Sequence, residues 1–167
     1  MFMDEARFGQ QGTLTKVWAP RGSRPTAIKQ TRYEWVYLYA AVEPRTGHSS
    51  ALLAPRVDTG TFNAFLKIVS KEVQRDDHIV LIMDQAGWHR ARQVRLPRNI
   101  TVLFLPPYSP ELNPVERLWA YLKSHHLSNR VYRDYQDLMD AGTTAYRSLT
   151  FAQIRSTCRC SYLTRGK

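Results

Sequence analysis

The sequence predicts an α/β fold: a mixed five-stranded sheet, part antiparallel meander and part parallel, flanked by helices. Three observations carry this expectation. Glu34–Val42 (EWVYLYAAV) is apolar on both alternating faces, as in a central strand covered on both sides. Ile79–Met83 and Ile100–Leu105 are short continuous apolar runs, the pattern of buried parallel strands. Between them and the first run the period changes, with Phe62, Phe65, Leu66, Val69 and Val73 recurring at helical spacing.

Each element can be placed in order. Phe2-Met3-Asp4-Glu5 reads as the last rungs of a buried strand whose beginning is absent, and Gly9–Gly12 as a turn. Leu14–Ala19 is expected as a strand, followed by a basic loop, Pro20–Pro25 (PRGSRP). Pro44–Gly47 makes a turn from which His48–Ala54 returns as another strand. Thr59 is placed to cap the helix through Val73, and Asp76-Asp77 to close it. Gly87–Arg95 is expected as a short helix, and the chain beyond Lys123 as helical and amphipathic to about Leu149. The order β-β-β-α-β-α-β-α is that of an RNase H-like fold. The expected organisation is one domain over residues 1–150, its first strand truncated at the start, then a basic tail over 151–167 with little periodicity.

Composition narrows the partner. Of 167 residues 43% are apolar and 23% charged, so the chain should fold. Its formal charge is +10, and 18 of the 24 basic residues are Arg, whose fork suits phosphate oxygens. A polyanion is implied, without separating DNA, RNA and membrane surface. The membrane is disfavoured because the longest apolar run, Trp35–Val42, is far short of the ~18 residues of a spanning helix. Asp4 and Glu5 near the N-terminus do not suit a secretory signal, and two cysteines are too few for a disulfide scaffold, which gives a cytoplasmic location.

The most informative stretch is Leu105–Trp119, LPPYSPELNPVERLW. Pro106, Pro107, Pro110 and Pro114 stiffen it, and Asn113 as N-cap with Pro114 at the first helical position starts a helix abruptly. Val115, Leu118, Trp119 and Leu122 lay an apolar stripe on a core, with Glu116 beside it on the first turn. Two readings of Glu116 stand. It can bond back to Asn113 as in a capping box, or it can be a carboxylate held at a fixed place for chemistry.

This stretch resembles the final motif of the mariner-type transposases, in the bacterial insertion-sequence branch with a DDE catalytic triad. Asp84, in MDQAGWH, resembles the Asp of the second motif, with Gln85 standing where Asn is usual and His89 at the family's His. Asp84 also reads as a cap for the following segment, and His89 as a packed histidine. Asp4-Glu5 resembles the first motif, ahead of WAPRG (Trp18–Gly22), so the resemblance runs from Asp4 to about Leu149. It implies that Asp4, Asp84 and Glu116 are the catalytic carboxylates and metal ligands, binding two Mg²⁺ (or Mn²⁺) ions. Asp4 would bridge both ions, and Asp84 and Glu116 would each hold one. The implied activity is metal-dependent DNA strand cleavage and strand transfer during transposition. Implied partners are DNA, a separate N-terminal helix-turn-helix polypeptide, and a second copy in an active homodimer. Arg21, Arg24, Arg90, Arg92, Arg95 and Arg98, with His89, are the candidate DNA contacts. Two alternatives remain: a nuclease on the same fold, and an inactive remnant that only binds nucleic acid. A zinc site from His125, His126, Cys158 and Cys160 fits no recurrent spacing.

Overall fold

A computed structural model describes residues 1–11, 14–26, 28, 30–72 and 77–163. The expectations at Gly12, Val73 and Asp76, and for residues 164–167, lie outside these. The five strands are β1 (Phe2–Gly9), β2 (Trp35–Val42), β3 (Ser49–Ala54), β4 (Ile79–Met83) and β5 (Ile100–Phe104). The helices are α1 (Thr59–Lys71), α2 (Val115–Leu122), α3 (Tyr135–Arg147) and α4 (Phe151–Thr157). Sheet order is β3-β2-β1-β4-β5, antiparallel among the first three and parallel from β1 to β5. This is the RNase H-like mixed sheet that the apolar runs predicted.

Alternation along the central strands builds two cores. Met3, Tyr39, Ala41, Leu81 and Met83 face α1, where Phe62, Phe65, Leu66 and Val69 are fully buried. Phe2, Ala6, Phe8, Leu38 and Ala40 face the opposite way and pack with Val115, Leu118, Leu122, Leu138 and Ile154 from the other three helices. Burying each such large side chain contributes about 1.5–3 kcal/mol, so the sheet is clamped from both sides. Gly9, at the end of β1, is required by packing: a Cβ there would overlap the Trp35 ring.

Several local expectations are corrected. Phe2–Glu5 are not the last rungs of β1 but its first half, and the strand continues to Gly9, paired residue by residue with β2. Leu14–Ala19 forms no strand. Both edges of β1 are already taken by β2 and β4, and Leu14, Val17 and Trp18 are exposed. The Thr15 N–H goes instead to Asn129 Oδ1, at 3.1 Å. Asp58, not Thr59, caps α1, accepting the Thr61 N–H at 2.7 Å. Gly87–Arg95 is a pair of turns instead of a helix, closed by His89 N–H to Ala86 O and Val94 N–H to Ala91 O.

The helical stretch after Lys123 is interrupted. A π-type turn over Lys123–Leu127 ends α2, Asn129 adopts φ 54, and α3 restarts behind an Asp134 cap. Residues 151–157, expected to lack periodicity, form α4 behind a Thr150–Gln153 capping box, with Ile154 and Cys158 in the core. Among the described residues no helix is long and apolar enough to cross a membrane.

Candidate active site

β1 and β4 run parallel with Phe2 opposite Ile82. Asp4 lies two residues beyond Phe2 and Asp84 two beyond Ile82, so both follow this pair in the shared strand direction. Asp4 is inside β1, while Asp84 is the first residue past β4. The third carboxylate, Glu116, stands on the first turn of α2, which packs on the sheet face that carries the Asp4 side chain.

The proline-rich connector and Asn113 fix that arrival. Asn113 is buried and extended; its Oδ1 accepts the Val115 N–H at 3.2 Å and its Nδ2 donates to Met3 O at 3.0 Å. One side chain thus caps α2 and ties it to the strand residue preceding Asp4. The regular helix begins at Val115, one residue later than expected, with Pro114 flanking it. The Asn113 N–H is donated to Pro110 O at 2.9 Å, so the capping-box role of Glu116 is not realised. Trp119, one turn beyond Glu116, donates its indole N–H to Asp4 Oδ2 at 2.8 Å.

Asp4, Asp84 and Glu116 line one cleft of about 490 Å³, together with Gln85, Arg90, Asn113 and the Leu105–Pro110 connector. At its rim Tyr108 is fully exposed and held at φ 56. Electrostatics separates the first two carboxylates. Burial pushes the Asp4 carboxyl up to about 7, helped by the charges of Glu116 and Glu5 and opposed by the Trp119 hydrogen bond. Asp84 is held below its usual value, chiefly by its hydrogen bond to His89.

Among the described residues no three His, Cys, Asp or Glu side chains are already grouped as a metal-binding set. The donor chemistry nevertheless fits a hard divalent cation. Three carboxylates line one cleft, and burial, with the charges of Glu116 and Glu5, disfavours the charged form of one of them, Asp4. The cysteines offer no comparable ligand: burial raises the Cys158 thiol to about 12, away from the thiolate that zinc needs.

The candidate DNA contacts divide. Arg90 lines the cleft, its guanidinium donating to Gln85 Oε1 at 3.2 Å. Arg21, Arg24, Arg92, Arg95 and Arg98 are exposed but line no part of it. His89 is corrected: its side chain is 1% exposed, so it cannot touch a duplex. Instead its Nδ1 lies 2.9 Å from Asp84 Oδ1 and its Nε2 3.3 Å from Glu5 Oε2. Burial opposes the imidazolium, but the hydrogen bonds and charges of Asp84 and Glu5 outweigh it and push its pKa to about 9.

Several contributors were not singled out from sequence. Gln85 joins the ends of β4 and β5 by donating to Leu105 O at 3.0 Å, and Trp119 orients Asp4. The one available signal for Trp119 was its spacing of three from Glu116, which puts both on one side of a helix. Beyond Glu116 a second cleft, about 460 Å³, is lined by Arg7 and Lys123 with Trp35 and Trp119.

This arrangement has known counterparts. The family described as DDE superfamily endonuclease matches residues 1–139. An uncharacterized protein of Sinorhizobium fredii (strain NBRC 101917 / NGR234), y4pE/y4sA, is 43% identical over 115 residues, covering 69% of this chain and 85% of that protein. The insertion element IS630 uncharacterized 39 kDa protein of Shigella sonnei is 31% identical over 109 residues, 63% of this chain and 32% of that protein. Among solved structures, the mariner Mos1 paired end complex with Mg superposes with a TM-score of 0.68 at 18% identity, over 94% of this chain and 50% of that one. The catalytic domain of Mos1 mariner transposase superposes with a TM-score of 0.58 at 16% identity, over 80% and 72%. At such identities the likeness is one of fold. The chain spans about a third of the insertion-element protein and half of the Mos1 chain in that complex. With its family matched over residues 1–139, this chain belongs to the DDE superfamily endonucleases, and its fold is that of the mariner transposase catalytic domain.

Proposed function

We propose that this chain is the catalytic domain of a transposase, cleaving DNA strands and transferring 3′ ends to target DNA at a metal-dependent site formed by Asp4, Asp84 and Glu116. The observation that carries the reading is the convergence of these carboxylates, from three separate elements, on one cleft that also holds Arg90. In this reading residues 1–150 carry the catalytic carboxylates, and 151–167 is a basic segment whose helix α4 packs on the same core.

Asp4, Asp84 and Glu116 would hold two Mg²⁺ or Mn²⁺ ions, which would supply activation of water or a 3′-hydroxyl and stabilisation of charge on the departing oxygen. The chain's own residues prepare this. A cation held there would favour the ionised Asp4 carboxyl, which burial and the charges of Glu116 and Glu5 otherwise disfavour. The Trp119 N–H keeps the Asp4 carboxylate oriented, and Asn113 fixes the distance between β1 and α2. Arg90, steadied by Gln85, is the phosphate contact within the cleft, and Tyr108 offers a rim surface on which a base can stack. Arg21, Arg24, Arg92, Arg95 and Arg98 extend the phosphate track. End recognition falls to a separate helix-turn-helix polypeptide, and activity to a homodimer acting on DNA in the cytoplasm.

A joining assay tests the reading. With Mg²⁺, a DNA end bearing a free 3′-hydroxyl should become covalently joined to a plasmid, and Asp84→Asn should abolish joining. Nicking without joining would support a plain nuclease on this fold. Binding without nicking or joining would support a remnant.

A further inference from the structure

Beyond the three carboxylates, β1 and the loop after β4 are connected through the protein interior by a chain of polar contacts. Trp88 Nε1–H donates to Glu5 Oε1 at 2.5 Å, Glu5 Oε2 faces His89 Nε2 at 3.3 Å, and His89 Nδ1 faces Asp84 Oδ1 at 2.9 Å. The Glu5 and His89 side chains are 9% and 1% exposed, and the imidazole lies against the Phe62 ring, 4.7 Å between centroids. The ring stands between two carboxylates, hydrogen-bonded to Asp84 and in charge contact with Glu5 without a hydrogen bond to it. Asp84 Oδ1 is therefore committed: it accepts from His89 and from the Ala86 N–H at 3.0 Å. Among the described residues, Asp84 Oδ2 accepts no hydrogen bond from the protein, and the Asp84 side chain is 58% exposed on the cleft.

We infer that Glu5 and His89 are a positioning pair: they hold Asp84 by one oxygen so that the other points into the cleft, fixing it relative to Asp4 on the adjacent residue of β1. The inference rests on the proposed carboxylate site. Without the pair, the Asp84 side chain, on the first residue past β4, would turn freely about its own bonds. Asp4 and Glu5 are successive residues pointing to opposite faces of one strand. The same backbone thus places one ligand directly and aims the second through His89. An imidazole that merely filled space against Phe62 would need no carboxylate on either nitrogen.

Two substitutions separate positioning from filling. In His89→Asn the amide nitrogen falls near the place of Nδ1 and keeps the bond to Asp84. In His89→Gln it falls near Nε2 and keeps only the contact with Glu5. Mn²⁺ affinity, read by electron paramagnetic resonance of the free ion, should fall by about 10–100-fold in His89→Gln, and by no more than about threefold in His89→Asn. Glu5→Gln, which keeps the shape and the Trp88 acceptor, should weaken Mn²⁺ in the same direction. Equal affinities in His89→Asn and His89→Gln, whether lowered or wild-type, would overturn the inference.

Asp84→Asn is the control for the site itself. If it binds Mn²⁺ as the wild type does, the carboxylate reading fails, and the pair is judged on the metal-free protein alone. There the His89 Nδ1–H resonance should exchange slowly, and Asp84→Ala should accelerate its exchange by about tenfold or more. Exchange unchanged by Asp84→Ala would overturn the pairing on its own terms.

Discussion

Replacing Asp4 by Asn should stabilise the metal-free protein at alkaline pH and leave it unchanged in acid. In the fold the Asp4 carboxyl is raised to about 7, against 3.8 for the ordinary group, because it is desolvated and feels the charges of Glu116 and Glu5. The sign follows from proton binding. Below about 3.8 the group is neutral in both states and contributes nothing. Between 3.8 and 7 the folded state binds the extra proton, so stability falls as pH rises; above 7 both states are ionised and the loss is complete. At 1.36 kcal/mol per pH unit, the full effect is on the order of 4 kcal/mol, reduced by solvent reaching a half-buried group to about 2–4 kcal/mol. Asn keeps the shape, and its carbonyl can still accept the Trp119 N–H, so the charge is what changes. His89 titrates in both proteins, hydrogen-bonded to Asp84 and beside Glu5, so it largely cancels in the difference. Urea unfolding in chelator at pH 4, 6 and 8 measures it. Asp4→Asn should match the wild type at pH 4 and exceed it by about 2–4 kcal/mol at pH 8. A difference that does not change with pH, or a variant weaker at pH 8, would refute the account of Asp4.

Other substitutions probe the surroundings. Trp119→Phe removes the only hydrogen bond that lowers the Asp4 pKa through a side chain, so the carboxyl should titrate above 7 by carbon NMR; an unchanged or lower midpoint would remove Trp119 from the site. Arg90→Ala should weaken DNA binding and flatten its log–log salt dependence by about 0.9 if Arg90 neutralises one phosphate, and an unchanged slope would place the contact elsewhere. Gly9→Ala forces a methyl into the Trp35 ring, itself covered by the Arg7 guanidinium at 4.2 Å, and should cost about 1–3 kcal/mol in urea unfolding. A neutral Gly9→Ala would mean that the ring moves aside freely.

The elements legible in the sequence were those whose burial dictates their pattern. β2 is covered on both faces, β4 is a short apolar run with Ile79, Leu81 and Met83 buried, and α1 and α2 carry unbroken stripes, so composition and period sufficed. β5 was expected buried, yet beyond Ile100 it lies open at the sheet edge with Leu103 and Phe104 exposed. What misled was local signal overridden by tertiary demand. Leu14–Ala19 alternates plausibly, but both edges of β1 are taken by β2 and β4 and its backbone turns to Asn129 instead, and the turns after Asp84 are organised by His89 and Val94 facing inward instead of by a helical stripe. The carboxylates Asp84 and Glu116 were visible through their settings, a strand end and a proline-stiffened helix start. Their supports were not. Glu5 looked like half of an ordinary acidic pair, and His89 read either as a packed histidine or as a DNA contact with no partner named, because pairing across 84 residues of chain has no signature in one sequence. Asn113 was visible as a cap, but its second bond, to Met3, exists only once β1 and α2 are packed.

The central claim is that Glu116 joins Asp4 and Asp84 in one metal-dependent site, and melting as a function of Mg²⁺ tests it most directly. A cation bound only by the folded state stabilises it by RT ln(1 + [L]/Kd), about 2.7 kcal/mol at a hundredfold excess over Kd. The wild-type chain should therefore melt progressively higher as Mg²⁺ rises. Glu116→Gln should melt at the same temperature or slightly higher in chelator, since one source of repulsion on Asp4 is gone, and should lose most of the Mg²⁺ response. An equal Mg²⁺ response in Glu116→Gln and wild type would contradict the claim.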